Sequence, residues 1–171
     1  MNPAWSQISF AEPPIELAPA IRFTVPGPIV GKGRARSVPL MRDGRPVIGY
    51  GGRPMVIHHT PEKTTSYESL IRVAAEIAMG DRPPIAGPVA VSLMLAFAIP
   101  ASWSKRRHAA ALAGDIRPTV KPDADNVLKA ICDGCNGIVF IDDKQVTEVH
   151  LIKRYDIAAR VRVTVQAVGE P

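Results

Sequence analysis

KPDADNVLKAICDGCNGIVFIDDKQV, Lys121–Val146, is the stretch on which the fold turns. Pro122 holds Lys121 extended, so Asp123 falls where a helix would start, and the helix is expected from about Ala124 to Asn136, closing at Gly137. At about 100° per residue, Val127, Leu128, Ile131 and Cys135 gather on one arc while Asp125, Lys129 and Asp133 gather on another. One arc packs and the other is free for chemistry. After Gly137 the apolar run Ile138 to Ile141 is long enough to return the chain toward the helix start, which would bring Asp142 and Asp143 near Asp123 and Asp125.

Outward from that stretch the periodicities change. Val89, Val91, Leu93, Leu95, Phe97 and Ile99 alternate with small residues, which predicts a central strand covered on both faces. Ile21, Phe23 and Val25 alternate with Arg22 and Thr24 as a half-buried strand. Thr147–Tyr155 and Ala159–Ala167 also alternate, and their short link suggests a hairpin. Thr60 reads as an N-cap with Pro61 at the first position of a helix over 61–79, and Ser102 or Ser104 would cap a short helix through Lys105, Arg106 and Arg107 to Leu112. Pro26 to His59 is a long loop rich in Gly, Pro and Arg, with a hairpin near Pro46 to Tyr50. Residues 1–20, with four prolines, read as a flexible arm before a single domain over 21–171. The expected class is α+β: a mixed, mostly antiparallel sheet of about four strands with two main helices packed on it.

Composition narrows the partners. Lys and Arg number 21 against 16 Asp and Glu, an excess that favours a polyanion, while 5% aromatics argue against a surface of stacking platforms. Lys32, Arg34, Arg36, Arg53, Lys105, Arg106 and Arg107 are the candidates for DNA backbone contacts. No apolar run is long enough to span a bilayer, and the N-terminus lacks the pattern of a secretory signal, so no membrane partner is expected and the cytoplasm is the expected location. Cys132 and Cys135 do not make a disulfide framework. The scattered histidines do not complete a zinc site with them, so both read as buried thiols.

Five aspartates fall between Asp123 and Asp143 in a chain of net positive charge. If Asp123, Asp125 and Asp143 converge to about 5 Å, each pair repels by roughly 3 kcal/mol at an effective dielectric near 20, and a bound cation would relieve it. All-oxygen ligands favour Mg²⁺, or Mn²⁺. Ordinary structural roles stand beside this reading: Asp123 as a helix cap, Asp125 paired with Lys129 at i,i+4, and Asp142–Asp143 as a turn. On those roles the protein would be a basic DNA-binding module rather than an enzyme.

The run Lys121–Val146, continuing to Lys153 and Tyr155, resembles the RusA family of Holliday junction resolvases of bacteria and their phages. The strand at 21–26, the YESL helix near Tyr67 and the strand at 89–99 resemble it more loosely. The resemblance implies a metal-dependent endodeoxyribonuclease of DNA recombination and repair. It assigns metal binding to Asp123 and Asp125 of D-x-D-N and to Asp143 of D-D-x-Q-V, an essential role in cleavage to Lys129, and a supporting role to Asp142. It also implies a homodimer whose two sites cut opposed strands of a four-way junction; flaps, forks and other branched DNA are the alternative substrates. Cys132, Gly134 and Cys135 depart from the family pattern, and residues 1–20 and 38–59 have no counterpart in it.

Overall fold

A computed structural model describes residues 20–169 of the chain, without the side chains of Arg36 and His59, so all but the last residue of the expected 1–20 arm lies outside the described part. The elements run β1 (Ile21–Pro26), β2 (Arg36–Pro39), β3 (Met41–Arg42), β4 (Arg45–Pro46), β5 (Val56–His59), α1 (Glu62–Met79), β6 (Val89–Ala98), α2 (Lys105–Ala113), α3 (Ala124–Cys135), β7 (Val146–Asp156) and β8 (Arg160–Ala167). The fold is α+β, as expected, with one mixed four-stranded sheet in the order β1-β8-β6-β7. β8 runs antiparallel to both β1 and β6, and β7 lies parallel to β6.

Alternation sets which face each strand buries. Ile21, Phe23 and Val25 stand opposite Val165, Val163 and Val161, and the buried sides of β6 and β8 continue the layer through Val89, Val91, Leu93 and Leu95. Tyr67, Ile71, Ala75 and Met79 of α1 and Val127, Ala130, Ile131 and Cys135 of α3 close the same core. Burying one such branched side chain contributes roughly 1.5–3 kcal/mol, which binds these helices to the sheet more firmly than helix propensity does. α1 and α3 meet at Gly134, where an added Cβ would stand 2.6 Å from Cγ2 of Ile71. Val139 and Phe140, both buried, plug the end of this core after α3.

Four local expectations are corrected. β7 and β8 do not form a hairpin: β6 lies between them, because alternation marks the buried face of a strand and says nothing about its neighbour. β6 is central, but its second face is covered only in part: Ala96 is buried and Met94 half-buried, whereas Ser92 and Ala98 are exposed. α1 begins one residue later than expected, with Pro61 extended as its N-cap and its carbonyl accepting from the amides of Thr64 at 2.9 Å and Thr65 at 3.2 Å. In the basic loop there are two reversals where one was expected: the one near Pro46–Tyr50 turns at Gly49–Arg53, closed by the antiparallel Ile48–Pro54 bridge, and a tighter hairpin precedes it at Asp43–Gly44, between β3 and β4, where both turn residues have positive φ, as a two-residue hairpin turn requires. β2 and β5 pair as the root of the same arm. α2 is capped by Ser104, whose hydroxyl accepts from the amide of Arg107, and rests on β7. Among the described residues no helix is long and apolar enough to cross a membrane.

Candidate active site

α3 starts where the sequence places it. Asp123 is the N-cap residue, Asn136 the C-cap, and Gly137 follows with φ 71°. The Asp123 carboxylate makes no capping hydrogen bond, so the expected capping role is not used. Asp125 does not pair with Lys129 either; both side chains are exposed, and among the described residues no ion pair engages them.

The remaining aspartates divide in the same manner. Asp133 is committed: its carboxylate lies 2.7 Å from Nζ of Lys32, which also meets Oε1 of Glu68 at 2.5 Å. Burial disfavours the Lys32 charge, but the hydrogen bonds and charges of Asp133 and Glu68 outweigh it, so the Lys32 pKa is raised above its ordinary value. That ammonium is held between α1 and α3 and is not a loose surface cation. Asp142 is committed too, in a capping box over the single 3-10 turn Asp143–Gln145. Its carboxylate accepts from the amide of Lys144 at 3.0 Å, which holds its pKa below the usual carboxylate value, and its own amide donates to Oε1 of Gln145 at 2.9 Å. Gln145 then donates to the carbonyls of Ile85 at 3.0 Å and Gly87 at 2.6 Å, tying the turn to the chain before β6. The spacing Asp-x-x-Gln carried this signal in the sequence, and the reading of the acids alone missed it.

Asp143, next in the chain, is exposed, and among the described residues its carboxylate has no hydrogen bond or ion pair. It lies within electrostatic reach of Cys132, whose thiol pKa is pushed up to about 11, first by burial and then by the charges of Asp143 and Asp133, against the opposing effect of Lys129. Cys132 is two turns along α3 from Asp125. Burial drives the Cys135 thiol up to about 12. Both cysteines are buried and protonated at neutral pH, as a packing role requires.

Other elements hold the start of α3. Lys153 of β7 donates from Nζ to the carbonyls of Val120 and Pro122, each at 2.8 Å, and fixes the loop that delivers Asp123. The amide of Lys32 donates to the carbonyl of Asn126 at 2.7 Å. Between these supports lies a cleft of about 410 Å³ lined by Ile29, Val30, Lys32, Lys63, Lys121 and Asp123, among others. Lys63 and Lys121 are cations at the site that the sequence reading did not assign a role; Lys121 is two residues from Asp123, but nothing in the position of Lys63 shows that it would meet Asp123. Of the basic cluster on α2, Arg107 stacks on Trp103 at 3.8 Å from the ring centroid, whereas Lys105 and Arg106 are exposed. Arg34 and Arg53 are exposed as well.

Among the described residues no three His, Cys, Asp or Glu side chains are gathered closely enough to hold a metal ion. The donors nevertheless suit a hard cation. Among the described residues the carboxylates of Asp123, Asp125 and Asp143 have no protein partner, while the softer candidates, the two thiols, are buried and protonated.

The family model for the endodeoxyribonuclease RusA matches residues 26–166, most of the chain. The protein belongs to the RusA family. Within that family framework, the chain is also similar to YqaN, an uncharacterized protein of Bacillus subtilis (strain 168), at 32% identity over 153 residues, which is 87% of this chain and 97% of that protein. The RusA match runs from the last residue of β1 into β8 and takes in every acid discussed above.

Proposed function

We propose that this RusA-family protein is a Mg²⁺-dependent endodeoxyribonuclease that resolves four-way DNA junctions in recombination and repair, acting in the cytoplasm as a homodimer. One observation carries the reading. Of the five aspartates between 123 and 143, Asp133 and Asp142 are engaged by protein groups, and among the described residues the carboxylates of Asp123, Asp125 and Asp143 are not. Three unengaged carboxylates within one short stretch, in a chain that matches the family model for an endodeoxyribonuclease, favour an enzyme over a plain DNA-binding module.

Asp123, Asp125 and Asp143 would hold Mg²⁺, with Mn²⁺ as a substitute. Bound there, the ion supplies an acidified water and polarises a phosphoryl oxygen. The residues of the chain do the rest. Lys129, on the same stripe of α3, stabilises negative charge that builds on the phosphate as the bond breaks. Lys63 and Lys121 draw the strand into the cleft beside Asp123, and Arg34, Arg53, Lys105 and Arg106 hold flanking backbone without reading bases. Asp142 and Gln145 keep the turn that carries Asp143 in place.

The test is a nicking assay on a labelled synthetic four-way junction with Mg²⁺, comparing wild type with Asp125→Asn. Paired symmetric nicks by the wild type, lost in the variant and in EDTA, are expected. Binding without any cut would leave a DNA-binding module, and cutting of flaps or forks but not of junctions would change the substrate.

A further inference from the structure

Apart from Arg53, set above on flanking DNA backbone, the arm from Arg36 to His59 takes no part in the function proposed above. It is ordered by its own hydrogen bonds: Leu40 donates to the carbonyl of Met55, Met55 to Val47, and Val47 to Leu40, each at 2.8 Å. Yet none of residues 37–58 is buried, so the arm adds nothing to the core. An ordered element with no core of its own needs another reason to keep its shape.

Its surface chemistry is one-sided. Between residues 34 and 58 the sequence carries Arg34, Arg36, Arg42, Arg45 and Arg53 against a single acid, Asp43. Arg42, Arg45 and Arg53 are exposed, and among the described residues no carboxylate pairs with them. At one tip the ring of Tyr50, flanked by Gly49, Gly51 and Gly52, is fully exposed. The base of the arm is fixed to the candidate active site, because the amide of Lys32 is bonded to Asn126, the residue after Asp125.

Exposed Val38, Met41, Ile48, Met55, Val56 and Ile57 would also suit a second copy of the chain. Charge argues against that occupant. In a two-fold contact the same patch meets itself, which would set these arginines against each other, whereas a polyanion satisfies them.

We infer that the arm is a DNA clamp: Arg42, Arg45 and Arg53 hold phosphates of the duplex beside the cut strand, and Tyr50 stacks on a base left unpaired at the branch. The inference rests on the proposed nuclease reading and names the part of the protein that recognises its substrate. Phosphate contacts supply affinity, and a ring needs only the face of an exposed base, so the arm would favour branched over linear DNA without reading sequence.

The test measures binding in EDTA, which separates it from cleavage. Fluorescence anisotropy on a four-way junction and on linear duplex would compare wild type, the triple variant Arg42→Ser/Arg45→Ser/Arg53→Ser, and Tyr50→Ala, with sedimentation of each. The triple variant is expected to bind both DNAs roughly tenfold or more weakly, and its salt dependence should flatten by about 3 in log–log slope. Tyr50→Ala should lose about tenfold on the junction only, together with the quenching of 2-aminopurine at the branch point. Unchanged affinity in the triple variant overturns the clamp, and so does conversion from dimer to monomer, which would make the arm a contact between copies. Unchanged 2-aminopurine fluorescence in Tyr50→Ala overturns the stacking. A wild type that binds junctions but cuts nothing with Mg²⁺ removes the nuclease reading and leaves the clamp standing.

Discussion

The ammonium of Lys153 donates to the carbonyl of Pro122 at 2.8 Å and to that of Val120 at the same distance. A cation on an edge strand of the sheet thus fixes the backbone immediately before Asp123, the first of the three unpaired carboxylates. Its stem also lies under the start of the site, with Nζ 5.4 Å from the ring centroid of Phe97 on the neighbouring strand.

Replacing Lys153 with Met keeps the length and apolar bulk of the stem and removes both hydrogen bonds. Supporting groups of this kind are typically worth about 10- to 100-fold in metal affinity or activity. Half-saturation of cleavage is therefore expected at a Mg²⁺ concentration at least tenfold higher, with junction binding in EDTA unchanged. A Mg²⁺ titration of wild type and variant checks this. A uniform loss of rate with the same Mg²⁺ midpoint would show that Lys153 does not orient Asp123.

Lys129 is exposed, and among the described residues no ion pair engages it. If it acts on charge that develops only as the phosphodiester breaks, Lys129→Ala should lower the cleavage rate by about 10² or more while junction affinity stays within a few-fold. Single-turnover cleavage beside anisotropy separates the two. Loss of binding in step with cleavage would make Lys129 an ordinary phosphate contact.

Lys32 joins the chain after β1 to Glu68 of α1 and Asp133 of α3, with side chains about a quarter exposed. Removing the ammonium leaves two carboxylates facing each other, and Lys32→Met is expected to destabilise the protein by about 2 kcal/mol at neutral pH, discounted from a fully buried pair. The sign of the pH dependence follows from the raised pKa of Lys32. Its contribution is fully present below the unfolded value of 10.5 and is lost as pH rises through the higher folded value. Urea unfolding of both proteins should show the gap constant from pH 7 to 9 and closing in stronger alkali. A gap that widened with pH would contradict the assignment.

The elements that could be read from the sequence were those with a local cause. Apolar spacing marks α1 and α3, Ser104 starts α2, and the alternation of Ile21, Phe23 and Val25 marks a half-buried strand. Strand neighbours have no local cause. Nothing in Thr147–Tyr155 or Ala159–Ala167 records that β6 enters between them, so two strands joined by three residues read as a hairpin. The site divides along the same line. Asp123, Asp125 and Asp143 stood out as acids, and the capping of Asp142 by Lys144 and Gln145 is local, but that Asp133 would meet Lys32 depends on a chain segment remote in sequence. The support that Lys153 gives to the start of α3, and the place of Lys63 in the cleft, were silent for that reason: each acts on a backbone or cleft more than thirty residues away.

Gly134 is where α1 and α3 come closest, and it replaces the side chain that a helix interior would ordinarily prefer. A Cβ there would stand 2.6 Å from Cγ2 and 2.8 Å from Cβ of Ile71, and 3.3 Å from the carbonyl of Glu68. Ile71 is fully buried and branched at the very atom approached, so it has no free end to move aside, and the helices must separate. Alanine gains up to about 1 kcal/mol in helix propensity, but overpacking costs about 1–3 kcal/mol, so Gly134→Ala should be destabilising by about 1–2 kcal/mol. Because Glu68 and Asp133 flank this contact on the two helices, separation should also loosen their grip on Lys32, making the effects of Gly134→Ala and Lys32→Met less than additive. Urea unfolding of the two single variants and the double variant measures that coupling. Strict additivity would mean that the helices absorb the methyl group without shifting, and that the close approach at Gly134 does not set the geometry of the Lys32 network.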